Sequence, residues 1–217
     1  MMRRQRGFTV AEVLTVLVIV GLMLSVIAFS IPLFLRGPSE AQSQVDNVNT
    51  AALALYKMQH DARPSNINGV FSCTTSPTIT CSTPTPGPVG SPLPAAQAVV
   101  ILTADGTGQF KFDGNGNPVW TGFVVYWLTP NADGSSNELR RAYYALPETL
   151  PVPLADPVTA LSTVIGAPGY ETVAQDVVGM SAAIDFSTRT VDLQIDGGDK
   201  FGNKSSLSLA GNSYARN

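Results

Sequence analysis

The pattern of apolar and polar residues divides the chain into one continuous apolar block near the N-terminus and a mixed remainder. Residues 13–35 are 23 residues without a charge. As a helix they would extend about 35 Å at 1.5 Å per residue, which is enough to cross the hydrocarbon core of a bilayer. The pattern therefore predicts a single membrane-spanning helix within residues 8–36.

A second helical pattern follows Arg36-Gly37-Pro38, with Ser39 as a candidate N-cap and Glu40 in the first turn. Apolar residues then recur at spacings of three and four, at Ala41, Val45, Val48, Ala52, Leu55 and Tyr56. Such spacing is typical of an amphipathic helix, and Pro64 ends it. We expect residues 37–63 to continue the first helix outward, with this stripe packed on a sheet.

The C-terminal part of the chain alternates apolar and polar residues in short runs separated by Asp, Gly and Asn, a pattern that predicts antiparallel strands. The predicted strands are residues 98–103, 109–112, 119–128, 138–145, 177–186, 190–196 and 205–214. Residues 147–170 are rich in proline and have room for one short helix, at 158–165, so we expect this insertion to divide the sheet. The fold class is therefore α+β, with the outer half of the long helix packed on an antiparallel sheet.

The segment from Pro64 to Gln97 contains 7 of the 16 prolines and many Ser and Thr residues, which predicts a long exposed loop. Cys73 and Cys81 are the only cysteines, and this segment offers no His, Asp or Glu to complete a metal site. A disulfide would stabilise the fold by about 2–3 kcal/mol in an oxidising compartment. Two free thiols are the alternative. Residues 64–217 together form the predicted β-rich head.

The charges flanking the apolar block predict its orientation. Arg3, Arg4 and Arg6 precede it and only Arg36 follows closely, so the positive-inside rule keeps the N-terminus in the cytoplasm and sends the head across the inner membrane. The head is then periplasmic or extracellular. A cleaved secretory signal is the alternative, but its apolar core usually spans only about 7–15 residues.

Glu12 lies at the entrance of the apolar block, where insertion would leave its carboxylate partly desolvated. An acid at mid-membrane costs about 2.5–3.5 kcal/mol and usually has a partner. Glu12 also ends the motif Gly7-Phe8-Thr9-Val10-Ala11-Glu12, which follows a short basic leader and precedes the apolar helix. This arrangement resembles the signature of type IV prepilins and pseudopilins.

The resemblance implies a leader at residues 1–7, cut between Gly7 and Phe8 by a prepilin peptidase, and methylation of the new Phe8 amine. It also implies that Glu12 compensates the Phe8 amine of an adjacent subunit during assembly. Pairing two charges that both resist burial lowers the energy only in the correct stagger of parallel helices. The expected fold is type IV pilin-like.

The order of elements in the head, the segments 125–128 and 139–141, and the tail from Val177 resemble the PilW-like minor pilins and J-type pseudopilins. The resemblance implies a structural minor subunit of a type IV pilus or a type II secretion pseudopilus, in a priming or tip position, with other subunits as partners. The alternatives are a major shaft subunit and a membrane-anchored binding domain that does not polymerise.

The remaining candidate chemistry is weak. The run 113–117 alternates oxygen ligands as a calcium loop does, but Pro118 and Val124 stand where that loop needs a glycine and a bidentate acid. His60 beside Asp61 is expected to be a solvated helix-end residue, and the pair Arg140 and Arg141 a solvated strand edge. Without its leader the chain has 10 basic and 16 acidic residues. We therefore expect no enzyme activity, no metal or cofactor and no nucleic-acid partner.

Overall fold

The computed structural model describes most of the chain. The described residues are 10–65, 67–84, 95–103, 111–115, 118–131, 134, 136–150, 156–185, 187–188, 190–197 and 207–214. The chain forms two compact units, Met1–Gln44 and Val45–Asn217. The first consists of helix in its described part, and the second contains the end of that helix and the whole sheet.

Helix α1 is one continuous helix, Val10–Ala62, of 53 residues. The expected new start at Ser39 is wrong, because the helix runs through Gly37 and Pro38 without an interruption. A proline removes one backbone donor and crowds the preceding turn, but the many intact hydrogen bonds on either side continue the helix. Its end at Ala62, two residues before Pro64, agrees with the prediction.

The described strands form one antiparallel sheet. Their bounds are β1 Val70–Thr74, β2 Thr80–Ser82, β3 Ala95–Ala96, β4 Ala98–Thr103, β5 Lys111–Phe112, β6 Pro118–Pro130, β7 Asn137–Leu150, β8 Glu171–Asp185, β9 Thr190–Gly197 and β10 Leu207–Tyr214. The order is β10-β9-β8-β7-β6-β4-β1-β2, while β5 pairs with β6 and β3 pairs with β8. Since β3 leads directly into β4, its pairing with β8 curls the sheet. The α+β prediction is confirmed.

Two expectations about the sheet are wrong. The segment from Pro64 to Gln97 is not simply a loop, because it contains a 3-10 turn at Ile67–Gly69 and strands β1 to β3. The Ser and Thr residues of this segment gave no clear apolar alternation, so strand β1 could be recognised only from its pairing with β4. The proline-rich insertion does not divide the sheet either, since β7 pairs with β8 across it.

The disulfide joins Cys73 and Cys81, which face each other directly in the register of β1 and β2. Their Cα atoms are 4.2 Å apart, close to the spacing of a non-hydrogen-bonded antiparallel pair. Cys73 is buried in the core. The bond therefore staples a short edge strand to the sheet.

Helix α1 packs on one face of the sheet, but through a different stripe from the one predicted. Among the side chains of α1 that the structure describes, the buried ones are Ala51, Ala54, Leu55, Met58, Asp61 and Ala62. Of the predicted stripe, Leu55 is buried, whereas Val45, Ala52 and Tyr56 are exposed. Alanines on the packed stripe let the helix backbone approach the sheet closely, and their small side chains give a weak periodic signal.

The other face of the sheet is covered by α2, Pro157–Ile165, within one residue of the predicted helix. Asp156 caps it by accepting a hydrogen bond from the Val158 amide at 3.0 Å, as Asp does at a helix N-terminus. Ala160, Leu161 and Val164 are buried against the second core cluster, which includes Phe123. Both faces of the central strands are therefore buried.

Gly122 is required by its surroundings. It follows a register shift between β6 and β7, and a Cβ placed on it would lie within 3.0 Å of the Tyr143 side chain and the Tyr144 carbonyl oxygen. We expect Gly122→Ala to lower the free energy of unfolding by about 1–3 kcal/mol, as overpacking does. Denaturation of the full chain in detergent, followed by fluorescence of the buried Trp120 and Trp127, measures this.

The control is Gly197→Ala in β9, where an added Cβ meets nothing within 4 Å. Its expected change is within about 0.5 kcal/mol. Equal effects of the two substitutions would show that strand propensity, and not the contact with Tyr143, determines the cost.

Candidate assembly site

The inner part of α1 has the length and composition of a membrane span. Its apolar window covers Val10–Ile31, with a mean hydropathy of 2.7, and none of it is buried in the chain. Apolar side chains point outward on every side of the helix, among them Leu17, Met23 and Ile27. This surface needs lipid or other apolar helices around it, because in water it would remain exposed.

The hydroxyl groups within this segment are satisfied by the helix itself. Thr15 Oγ1 donates to the Ala11 carbonyl at 2.8 Å and Ser30 Oγ to the Val26 carbonyl at 2.7 Å. Ser25 Oγ donates to the Leu22 carbonyl at 2.7 Å. Since unsatisfied polar groups are costly in hydrocarbon, these bonds let the segment enter lipid or a dry helix interface.

Glu12 is the acidic residue of the first turn of α1, and it is exposed. A carboxylate in this position is favoured by the partial positive charge of the helix N-terminus. Gly7 and Phe8 lie outside the described residues. The pairing of Glu12 with the Phe8 amine of another subunit therefore stays a prediction.

At its outer end, α1 is fixed to the sheet by a partly buried polar cluster that the sequence analysis missed. Asp61 Oδ2 accepts hydrogen bonds from the Tyr126 hydroxyl at 2.6 Å and from Arg141 Nε at 2.8 Å. Tyr126 and Arg141 are direct partners across β6 and β7. One carboxylate of the helix thus joins two neighbouring strands. We call these three residues the helix anchor.

The charges of the helix anchor are complementary. Burial and the nearby Asp61 carboxylate raise the pKa of the Tyr126 hydroxyl, which therefore stays neutral and donates a proton. Burial by itself would lower the pKa of Arg141, but its hydrogen bond to Asp61 and the charge of Asp61 outweigh burial and raise it. The guanidinium stays charged, as a partly buried ion pair requires.

The expectation of a solvated edge for Arg140 and Arg141 is wrong, since both lie in the central strand β7. The signal was present in the alternation of that strand: Arg141 lies two residues after buried Leu139 and hence on the same face. A charged side chain on a buried face of the sheet needs an oppositely charged or hydrogen-bonding partner. His60 is half exposed, as expected, with its Nδ1 3.7 Å from Asp61 Oδ1.

Comparison with known proteins gives one match. The family described as the prokaryotic N-terminal methylation motif matches residues 2–28 of the 217. This segment contains Gly7, Phe8, Glu12 and most of the exposed apolar helix. At its N-terminus the chain carries the motif that is typical of type IV prepilins and pseudopilins. No curated protein and no solved structure matches the chain.

The prepilin motif has direct consequences for the chain. It indicates processing by a prepilin peptidase and assembly with other pilin-type subunits. Together with the apolar helix it indicates a membrane-anchored precursor that later enters a pilus-like fibre. The match ends at residue 28 and does not include the head.

Two further polar groups in the head have structural explanations. Arg140 stacks over the Tyr170 ring at 4.2 Å and pairs with Glu138 at 2.9 Å, which holds the segment after α2 against the sheet. Asp113 accepts a hydrogen bond from the Asn115 amide at 2.9 Å, the bond of an Asx turn. Within the described residues, no three His, Cys, Asp or Glu side chains are grouped to hold a metal ion.

Proposed function

We propose that this chain is a type IV prepilin or pseudopilin, and that it serves as a minor structural subunit of a type IV pilus or a type II secretion pseudopilus, in a priming or tip position. The observation that carries the proposal is the combination of the methylation motif with a wholly exposed apolar helix that begins beside Glu12. A carboxylate at the entrance of a membrane span is costly to desolvate, and a positive charge from another subunit would offset that cost.

In this proposal the precursor inserts with its N-terminus in the cytoplasm, because Arg3, Arg4 and Arg6 lie on that side of the span. The peptidase then cuts between Gly7 and Phe8 and leaves the helix attached. The head stands in the periplasm or outside the cell, where the bond between Cys73 and Cys81 persists.

Assembly then proceeds by charge pairing and apolar packing. The new Phe8 amine of one subunit meets the Glu12 carboxylate of another, and each removes the cost of burying the other. Apolar side chains along residues 13–31 supply most of the cohesion, as between membrane helices. The charge pair sets the stagger, because only one register brings the two groups together.

Gly7→Leu tests the processing step. We expect the variant to remain full-length and membrane-bound, because the peptidase must accommodate the residue before the cut, whereas the native protein should begin at Phe8. Mass spectrometry identifies the N-terminal residue of the purified variant and of the purified native protein. The matched control is Gln5→Leu in the same leader, which should be cut normally. Normal maturation of Gly7→Leu, or a native N-terminus other than Phe8, would contradict the proposal.

The minor role is supported by the resemblance of the head to PilW-like and J-type subunits and by the size of that head, 64–217. A major shaft subunit is the alternative within the same class. Quantifying the protein in sheared fibres separates them: a minor subunit is present at a small fraction of the principal pilin, whereas a shaft subunit is the principal component.

A further inference from the structure

Strand β10 ends the sheet, at the opposite end of the strand order from β2. It pairs with β9 over its whole length, from Leu207 opposite Gly197 to Tyr214 opposite Thr190. Within the part of the chain that the structure describes, no strand pairs with the other side of β10. We call this side the open edge. It presents a row of backbone N–H and C=O groups with which another strand can pair.

Two other edges of the sheet carry features that hinder pairing with another chain. Strand β2 has only three residues and is held to β1 by the disulfide. Strand β7 continues past Arg141, the last of its residues that pairs with β8, and this extension contains Pro147 and Glu148. Short strands, prolines and charges are the features by which proteins prevent edge-to-edge pairing.

Strand β10 has none of these features. It is eight residues long, and its sequence Leu-Ser-Leu-Ala-Gly-Asn-Ser-Tyr contains neither a charge nor a proline. The neighbouring β9, by contrast, carries Asp192 and Asp196. A long, uncharged edge strand is the kind of surface to which another strand is added in protein recognition. The open edge is therefore suited to strand pairing between chains.

We propose that the open edge pairs antiparallel with the open edge of a second copy, so that one continuous sheet runs through two heads. The second copy offers a strand of equal length, whereas β2 is too short and the extension of β7 contains a proline and an acid. Because β10 is uncharged, pairing it with itself brings no like charges opposite each other.

The acidic residues of β9 do not oppose this contact. In the paired sheet the two β9 strands are three strand spacings apart, about 14 Å. This distance is longer than the Debye length of about 8 Å at physiological salt, so the repulsion between Asp192 and Asp196 of one copy and those of the other is largely screened.

The proposed contact uses the same surface in both copies, and an interface of this isologous kind closes at two copies. It therefore gives pairs and not open fibres. The inference goes beyond the assembly proposed above and does not depend on it, because the contact lies in the head and can form before any fibre is made.

Cysteine cross-linking of the full-length protein in isolated membranes tests the pairing. The native cysteines are bonded to each other, so an introduced cysteine supplies the reactive thiol. Ser208→Cys, Ala210→Cys and Asn212→Cys are made singly, and a short bismaleimide is added. In an antiparallel pair of identical strands only residues near the two-fold axis lie close to their own copies, so at least one variant should give dimers and no larger products.

The control is Val178→Cys in β8, at a residue that is 44% exposed and lies outside β10. It should remain uncross-linked. The absence of dimers from all three β10 variants, a ladder of larger products, or cross-linking of β10 to a different protein would each overturn the proposal.

A charged double variant gives an independent readout. Ser208 and Asn212 lie directly opposite Asp196 and Asp192 of β9, so Ser208→Lys with Asn212→Lys adds opposite charges within one sheet and should not lower the free energy of unfolding. In the pair of heads, however, it places four cations on two adjacent strands. We expect it to weaken dimer formation about tenfold or more.

Hydrogen exchange of the β10 amides in detergent measures dimer formation, because exchange should become slower as the native protein is concentrated. The matched control is Ser208→Gln with Asn212→Gln, which adds length without charge and should keep this dependence. The lysine variant should lose it. Exchange that is independent of concentration in the native protein, or equally dependent in the lysine variant, would overturn the inference.

Discussion

Replacing Glu12 by valine is expected to lower incorporation of the subunit into fibres at least about tenfold, while insertion and processing remain intact. Insertion becomes easier, because a carboxylate in the membrane is costly: about 2.5–3.5 kcal/mol at its centre and less near the interface, where Glu12 lies. Assembly becomes harder, because the Phe8 amine of the neighbouring subunit is buried without its partner. The measurement is the ratio of processed protein in the sheared-fibre fraction to that in the membrane fraction.

Thr15→Val is the matched control, one turn along the same helix. It also removes a polar group from the segment, but that hydroxyl is bonded to the Ala11 carbonyl within its own helix, so the proposal assigns it no role in assembly. We expect Thr15→Val to enter fibres normally. Normal incorporation of Glu12→Val would instead favour the alternative of a membrane-anchored binding domain that does not polymerise.

Replacing Arg141 by methionine should cost about 2–3 kcal/mol of stability. Breaking a fully buried ion pair from one side costs about 3–5 kcal/mol, and this pair should cost less because the Arg141 side chain is 17% exposed. The substitution leaves Asp61, which is 6% exposed, beside the Tyr126 hydroxyl with its cationic partner removed. The outer end of α1 would then be held less firmly to β6 and β7. Chemical denaturation in detergent, read by tryptophan fluorescence, gives the free energy of unfolding.

Two further variants determine whether the burial of the pair causes this loss. Lys57→Met breaks the ion pair of Lys57 with Glu171, whose side chains are 36% and 54% exposed, and exposed pairs contribute about 0–1 kcal/mol. Asp61→Leu combined with Arg141→Met removes both charges of the partly buried pair and should recover most of the stability. If Arg141→Met costs no more than Lys57→Met, the helix anchor is not a stabilising element.

The sequence was most informative where the physical demand is local. A span must be apolar along its whole length, so residues 13–35 could be recognised without any tertiary contact. The strands 98–103 and 190–196 were also predicted within a residue of their ends, because alternation and turn residues lie within a few positions of each other. The disulfide followed from two cysteines and the absence of metal ligands around them.

The errors arose where a distant partner determines the outcome. Strand β1 was missed because its Ser and Thr residues become a strand only beside β4, which begins 24 residues after the end of β1. Arg141 was assigned to solvent because its partner, Asp61, is 80 positions away. The methylation motif was identified from the sequence, but Gly7 and Phe8 lie outside the described residues, so their part in the site stays a prediction.

By itself the sequence determined the membrane helix, the motif around Glu12, the α+β class and most strands of the head, because each depends on neighbouring residues. Only the tertiary structure decided which side of α1 faces the sheet, since two apolar stripes of similar period compete and the alanine-rich one allows the closer approach. It also decided the order of the strands and the partners of Arg141. Those depend on which surfaces exclude water together, and a local pattern does not contain that information.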